Sequence, residues 1–182
     1  MLRHKPYVDA LRRIGDEEKV KQAKKDKKEI LLINDEHYFV SIPLNYGACY
    51  YFNNAEGAIA SYCTGSSNKS WWERYAKDGP MIDIIDRKNP NEVTGKYQIH
   101  APTHQIKAAD QNHKDSQDSV FAEKFPGLLK RICKLMLEKQ NIIKEASATE
   151  VKSENGRPLL RDGYDVQAAV SDIARKFPLS YN

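Results

Sequence analysis

Long apolar runs and cysteines are both scarce in this sequence, and each scarcity argues against a class of protein. No stretch approaches the ~20 consecutive apolar residues that a membrane-spanning helix needs, so we predict no membrane segment. Residues 1–6 contain no apolar core of the kind found in secretory signal peptides. The three cysteines, Cys49, Cys63 and Cys133, are an odd and sparse set for a secreted disulfide framework. We therefore expect a cytoplasmic protein in a reducing compartment.

A strong excess of charge of one sign is also missing. The 182 residues carry 29 Lys and Arg against 25 Asp and Glu, a net charge of +4. Such a mild basic balance permits a nucleic acid or an acidic protein as partner without requiring either. The clearest local bias is the lysine-rich stretch 19–28, which has almost no apolar stripe and predicts a solvated helix.

Short segments rich in β-branched and aromatic residues predict an antiparallel sheet. They occur at residues 30–33, 38–42, 81–85 and 96–100. Asn34-Asp35 is a turn sequence between the first two segments, and the connection between the last two is too short for a parallel crossover. We expect about four strands, followed by a polar segment over residues 103–119 that forms a loop or a short irregular element.

Helical patterns flank these strands. Residues 6–14 predict a short helix that Gly15 ends, and Asp16 then begins a second, polar helix. Pro126 stands at the first position of a long helix whose apolar face should cover the sheet. Asp165 is placed to cap the last helix.

These elements predict an α+β fold with helical extensions at both ends. Residues 1–29 form a helical, lysine-rich N-terminal arm, and residues 30–145 form the α+β core, which ends with the long helix. Residues 146–182 then form a loose connector up to residue 163 and a C-terminal helix packed on the core.

A polar loop precedes a short helix that we expect to begin at Ser70 and end before Gly79-Pro80. Residues 64–70 offer backbone amides, hydroxyls such as that of Ser66, and Lys69, a combination that suits an anion near a helix N-terminus. The spacing does not match a Walker A loop. The simpler interpretation is that Ser66, Ser67 and Ser70 cap the helix.

Cys63 lies in the same loop and is the candidate nucleophile, with His100 as its base. The alternative is an inert, buried thiol, which is the common environment of a free cysteine. A zinc site is disfavoured, because Cys49 and Cys63 are too far apart for a zinc knuckle and Pro102 interrupts the spacing of His100 and His104. We predict no metal and no cofactor.

Two further patterns indicate a binding surface. Neighbouring helical residues point about 100° apart, so at most one of Trp71 and Trp72 should be deep in the core, and the other could line a groove with Tyr75. The alternative is that both indoles pad the core. In the strand at 96–100, Lys96, Gln98 and His100 alternate with apolar residues and form a polar row. That row is either a binding surface or the solvated side of the sheet.

Taken together, these motifs resemble a small domain that recurs in proteins of tailed bacteriophages. The match covers roughly residues 38–130 and consists of Val40-Ser-Ile-Pro, Tyr62-Cys-Thr, an aromatic pair with Tyr75, Gly79-Pro80, an isoleucine-rich strand and Lys96-Tyr-Gln-Ile-His. The sequence departs from that pattern at Tyr62, where the family has Trp, and at Gly65, where it has Ala. The resemblance implies a phage or prophage origin and a shared α+β core, and it implies no reaction.

We therefore expect a phage accessory protein without catalytic activity that binds nucleic acid or a host or phage protein. One alternative is an enzyme or ligand-binding protein acting on a nucleotide or phosphate-bearing substrate, and another is a virion or assembly protein. The oligomeric state is left open. The expected binding residues are Tyr62, Thr64, Ser66, Lys69, Trp72, Tyr75, Lys96, Gln98 and His100.

Overall fold

A five-stranded antiparallel sheet organises the protein. The computed structural model describes residues 5–55, 60, 62–88, 95–103, 105–108 and 125–177. The strands follow one another in chain order, each paired with the next. They are β1 (Glu29–Asn34), β2 (Tyr38–Pro43), β3 (Met81–Asp86), β4 (Lys96–His100) and β5 (Gln105–Ala108). With the helices described below, this confirms the predicted α+β class.

The first hairpin is confirmed, and its turn has a clear local cause. The side-chain oxygen Oδ1 of Asp35 accepts hydrogen bonds from the backbone N–H groups of His37 and Tyr38, each at 2.8 Å. An aspartate that bonds to the backbone two residues further on stabilises a tight turn. The strand pair also contains an irregularity between Leu31 and Ile33.

The segment 103–119 was predicted to contain no strand, and this is wrong, because residues Gln105–Ala108 form β5. β5 pairs with β4 in antiparallel register, with Ile106 opposite Ile99. The turn after His100 returns the chain beside β4, so a segment of four residues gains backbone hydrogen bonds that its own composition does not predict. Residues 109–119 of the predicted loop lie outside the described residues.

One face of the sheet is apolar and is covered by the C-terminal helices. Side chains of β2, β3 and β4 on this face are buried together with α4 (Pro126–Glu138), α5 (Gln140–Glu150) and α6 (Val166–Lys176). Tyr97 meets Phe125 edge to face, with ring centroids 5.5 Å apart. The helix that begins at Pro126 therefore covers the sheet, as predicted.

That helix is interrupted at Lys139, so the prediction of a single helix up to residue 145 is wrong. Lys139 has φ −103° and ψ 14°, outside the helical region, and α5 continues the chain to Glu150. The change of direction allows Ile143 to be fully buried in the same core. The connector consequently starts at Val151 rather than at residue 146. No proline or glycine marks the break in the sequence.

The last helix begins as expected. The side chain of Asp165 accepts a hydrogen bond from the backbone N–H of Ala168 at 3.0 Å, which caps α6. Val166, Ile173 and Phe177 are buried on its inner side.

The N-terminal arm is a single helix, α1 (Lys5–Asp26), rather than two. Gly15 does not end it, because glycine lowers helix stability by only about 1 kcal/mol relative to alanine and the flanking residues favour a helix. Ala23 is buried where α1 packs on α2 (Tyr46–Asn54). Asn45 caps α2, since its side chain accepts from the N–H of Ala48 at 3.0 Å.

The second face of the sheet is covered by α2, a short 3-10 helix (Cys63–Gly65) and α3 (Ser70–Ala76). Phe39 and Ile85 of the sheet are buried against Phe52 and Tyr62 of this cover. The central strands β2, β3 and β4 are therefore covered on both faces. None of the helices in the described ranges is long and apolar enough to cross a membrane.

Candidate functional site

The polar row of β4 is buried under the cover formed by α2, the 3-10 helix and α3. Lys96, Gln98 and His100 are only 1%, 8% and 5% exposed. The predicted alternation of side chains is confirmed, but its interpretation as the solvated side of the sheet is wrong. Residues of the covering segments lie far from β4 in the chain, so the pattern within the strand did not reveal them.

A chain of hydrogen bonds joins this row to its cover and to the neighbouring strand. Thr64 donates from Oγ1 to Oε1 of Gln98 at 2.9 Å. Gln98 in turn donates from Nε2 to Oδ1 of Asp83 at 2.7 Å. Asp83 is 1% exposed and is the direct register partner of Gln98 across β3 and β4. The amide of Gln98 is thus held in one orientation, with its oxygen toward Thr64 and its nitrogen toward the carboxylate.

Lys96 is held at the opposite end of the row by the C-terminal end of α2. Its ammonium donates to the backbone oxygen of Phe52 and lies 5.0 Å from the centre of the Phe52 ring. Tyr62 donates from its hydroxyl to the backbone oxygen of Lys96 at 3.2 Å, and Asn53 donates from Nδ2 to the backbone oxygen of Tyr62 at 2.7 Å. These bonds connect the lysine of the sheet to two separate segments of the cover.

Burial dominates the electrostatics of the polar layer, which consists of the polar row of β4 together with Thr64, Asp83 and Asn53. It raises the pKa of Asp83 to about 7, against the hydrogen bond from Gln98 and the charge of Lys96, which both lower it. Glu29 adds a smaller upward contribution to the pKa of Asp83. Burial also raises the pKa of Tyr62 and of Cys49 well above their ordinary values, and the nearby charge of Asp83 acts in the same direction.

His100 is anchored through both of its ring nitrogens. Nε2 lies 2.9 Å from the backbone oxygen of Tyr75, and Nδ1 lies 2.9 Å from Oγ1 of Thr103. A carbonyl oxygen can only accept, so Nε2 carries the proton and Nδ1 accepts from the hydroxyl of Thr103. Burial is the main cause that lowers the pKa of His100 and keeps the ring neutral.

Cys63, the candidate nucleophile, lies near the same tyrosine. The Tyr75 ring packs edge to face on His100 with centroids 5.0 Å apart, and the Tyr75 side chain forms a hydrogen bond with that of Cys63. Tyr75 therefore lies between the proposed base and the proposed nucleophile. The ring nitrogens of His100 are bonded to Thr103 and Tyr75 rather than to the thiol.

The hydroxyls before α3 form local turns. Asn68 accepts at Oδ1 from both the N–H and the hydroxyl of Ser70, at 3.1 Å and 2.6 Å. Ser66 donates to the backbone oxygen of Cys63 at 2.8 Å. Ser70 is the first residue of α3 and its side chain does not cap the helix, so the prediction that it would do so is wrong. The amide oxygen of Asn68 satisfies this end of the helix instead.

Lys69 and Trp72, both in the predicted set, line an open groove of about 580 Å³ between α1, α2, α3 and the segment after α5. The ammonium of Lys69 lies 5.5 Å from the centre of the Tyr46 ring and 3.8 Å from Oε1 of Glu154. Trp72 is 2% exposed, and its Nε1 has no hydrogen-bond partner among the described residues. The groove mixes cations with carboxylates and selects neither charge.

Sequence reasoning missed two groups of residues. The first group is Asp83 and Asn53, which complete the polar layer. The sequence signal that could have identified Asp83 is an aspartate inside an isoleucine-rich strand. The second is the exposed face of α3, where Trp71 rather than Trp72 is the accessible indole, at 36% exposure. The sequence left open whether one indole or both would pad the core, and it did not indicate which of the two would be exposed.

Comparison of the chain with protein-family models, with curated proteins and with solved structures gives no match. Within the part of the chain that the structure describes, no group of three or more His, Cys, Asp or Glu side chains could hold a metal ion. The function must therefore be inferred from the chain's own residues.

Proposed function

We propose that the protein is a non-catalytic phage accessory protein that binds nucleic acid in the host cytoplasm. The observation that carries this proposal is a basic stripe on α1. Lys21, Lys24 and Lys25 are exposed at spacings of three and four residues, so they share one side of the helix. Ala23 is buried on the side that faces α2.

The stripe is suited to a polyanion because it is accessible and because lysines outnumber acidic residues along this part of α1. Residues 19–28 contain six lysines and one acidic residue, Asp26, whose carboxylate accepts from Gln22. Among the described residues, Lys21 forms an ion pair with the exposed Glu18 at 3.8 Å, and such surface pairs contribute little energy. Phosphates can therefore replace that contact with small loss. Neutralising phosphates and releasing their counterions is the main source of sequence-independent affinity for nucleic acids.

The surroundings of the β4 residues that were considered for binding or catalysis support a binding surface elsewhere on the protein rather than a reaction at this strand. Gln98 and Lys96 are buried and hydrogen-bonded to the protein, and His100 has both nitrogens engaged. Groups that are already satisfied inside the molecule stabilise the packing of the cover on the sheet. They are not presented to a substrate in this arrangement.

The test is a fluorescence anisotropy titration with labelled DNA at several salt concentrations. The triple variant Lys21→Ala, Lys24→Ala, Lys25→Ala should bind more weakly and should reduce the slope of log K against log salt by about 0.9 for each lost phosphate contact. The matched control removes three exposed lysines elsewhere, Lys134, Lys144 and Lys152, and therefore the same net charge. Equal losses in the two variants would contradict a binding role for α1, and no binding to DNA or RNA at low salt would contradict the proposed function.

A further inference from the structure

The solvent face of α3 combines an aromatic ring with two cations. Trp71, Arg74 and Lys77 are all exposed and recur at intervals of three residues, which places them along one side of the helix and its end. Trp72 and Ala76 are buried on the other side. The buried side explains the packing of α3 on the core, whereas nothing in that packing requires an indole on the outer side.

The Trp71 ring is fixed in position by its neighbours. It stacks with the Tyr75 ring at a centroid distance of 6.5 Å and an interplanar angle of 28°. The Arg74 guanidinium lies 4.7 Å from the centre of the Trp71 ring. Tyr75 is in turn braced by His100, whose Nε2 donates to its backbone oxygen. A preorganised indole loses little freedom when a ligand stacks on it.

The charges around this ring favour an anionic ligand. Glu73 is the only acidic residue within α3, and its Oε1 accepts from the backbone N–H of Glu154 at 2.6 Å, which turns it toward the segment after α5. Arg74 and Lys77 remain on the outer side with Trp71. Asp78 follows Lys77 in the chain and brings one carboxylate to the end of the helix.

We infer that the face formed by Trp71, Arg74 and Lys77 binds single-stranded nucleic acid by stacking an unpaired base on the indole of Trp71. An indole can stack on a base only when the base is not already enclosed in a duplex, whereas the phosphates that Arg74 and Lys77 contact are present in both forms. The inference rests on the proposed function and adds to it a preference for single-stranded over double-stranded nucleic acid. The lysine stripe of α1 supplies affinity for either form, and the α3 face supplies the selection.

The test compares a labelled oligothymidylate with a duplex of the same length, using the full chain. Trp71→Ala should weaken binding of the single strand by about 5- to 100-fold, which corresponds to the loss of one stacked base. Its affinity for the duplex should not change. Trp71→Phe retains an aromatic face and should keep most of the single-strand affinity. Ile142→Ala removes another exposed apolar side chain, on α5, and should change neither affinity.

The outcomes separate the two proposals. If Trp71→Ala binds the single strand as tightly as the unmodified protein, while the α1 triple variant loses affinity for both forms, the inference is overturned and the proposed function stands. An equal loss of Trp71→Ala affinity for both forms also overturns it, since stacking on an unpaired base would not affect the duplex. If the unmodified protein binds neither oligonucleotide, the proposed function fails as well, and the α3 face is left to a protein partner. Unfolding midpoints of the variants show whether any loss reflects misfolding.

Discussion

Gln98 and Asp83 face each other across β4 and β3 as register partners, and the amide of Gln98 donates to the carboxylate of Asp83 at 2.7 Å. The pair lies in the middle of the sheet, under the 3-10 helix. A carboxylate buried in such a place is destabilising when it is charged, because the protein interior solvates a charge less well than water does. The polar layer should therefore make the stability of this protein depend on pH.

Asp83→Asn should stabilise the protein at neutral and higher pH. The pKa of Asp83 in the folded state is raised to about 7, whereas an aspartate in the unfolded chain titrates near 3.8. The folded state therefore retains a proton that the unfolded state releases, and the stability this provides is complete below pH 4 and lost as pH rises through 7. Between pH 5 and 8, the variant should gain about 2–3 kcal/mol relative to the unmodified protein.

Urea unfolding at half-unit pH intervals would measure this difference. Asp162→Asn is the matched control, because Asp162 is exposed in the connector before α6. A constant difference between Asp83→Asn and the unmodified protein from pH 5 to 8 would contradict the raised pKa. In that case Asp83 would be ionised in the folded state throughout this range.

Thr64→Val should destabilise the protein by about 1–3 kcal/mol, because it leaves Oε1 of Gln98 without its donor inside the protein. Valine has nearly the shape of threonine, so the loss is that of the hydroxyl. Thr64→Ser keeps the donor and should cost less. The control Thr149→Val removes an exposed hydroxyl of α5 that bonds to its own helix, and should change the unfolding free energy by less than about 0.5 kcal/mol.

The sequence predicted the elements of the fold better than the contacts between them. Enrichment in β-branched and aromatic residues identified four of the five strands that the structure describes, and local capping chemistry identified the start of α6 at Asp165. The alternation of side chains in β4 identified Lys96 and Gln98 as one polar row. What covers that row depends on Thr64 and Phe52, which lie more than thirty residues earlier, and no local pattern encodes such a contact.

The break at Lys139 could not be predicted because it also depends on contacts between distant elements. The residues around Lys139 favour a helix, and the chain leaves the helical conformation there so that Ile143 can reach the common core. Tertiary packing overrides local propensity at such a position. The exposure of Trp71 was equally ambiguous, because two indoles are adjacent in the chain and no local pattern shows which side of α3 faces the sheet.

His100→Gln should remove the decrease in stability that the protonation of this histidine causes as the pH falls below about 6.5. Burial lowers the pKa of His100 in the folded state below its ordinary value near 6.5. The unfolded chain therefore takes up a proton first, so the contribution of this residue is present above pH 6.5 and lost as pH falls. The variant should lose less stability than the unmodified protein between pH 6.5 and 5, as measured by urea unfolding.

The control for that experiment is His37→Gln, since His37 is exposed on the first hairpin turn. It should follow the unmodified protein over the same range. Asp83 acts in the opposite direction, so the effect of His100 is best read as a difference between variants rather than from one curve. If His37→Gln and His100→Gln behave alike, the conclusion that burial lowers the pKa of His100 is wrong.

Gly65→Ala should destabilise the protein because no space exists for a side chain at this position. A Cβ on Gly65 would lie 2.4 Å from the backbone oxygen of Cys49 and 2.6 Å from Nδ2 of Asn53. Both atoms belong to α2, so the 3-10 helix would have to move away from the helix beneath it. Overpacking of this kind typically costs about 1–3 kcal/mol.

Gly127→Ala is the matched substitution, since Gly127 lies in the first turn of α4 and a Cβ there would meet no atom within 4 Å. Alanine favours the helix over glycine by up to about 1 kcal/mol, so this variant should be as stable as the unmodified protein or more stable. Thermal unfolding of the two variants would therefore shift the midpoint in opposite directions, or leave that of Gly127→Ala unchanged. A midpoint for Gly65→Ala equal to that of Gly127→Ala would show that the 3-10 helix does not pack tightly on α2, and the polar layer beneath it would then be open to water.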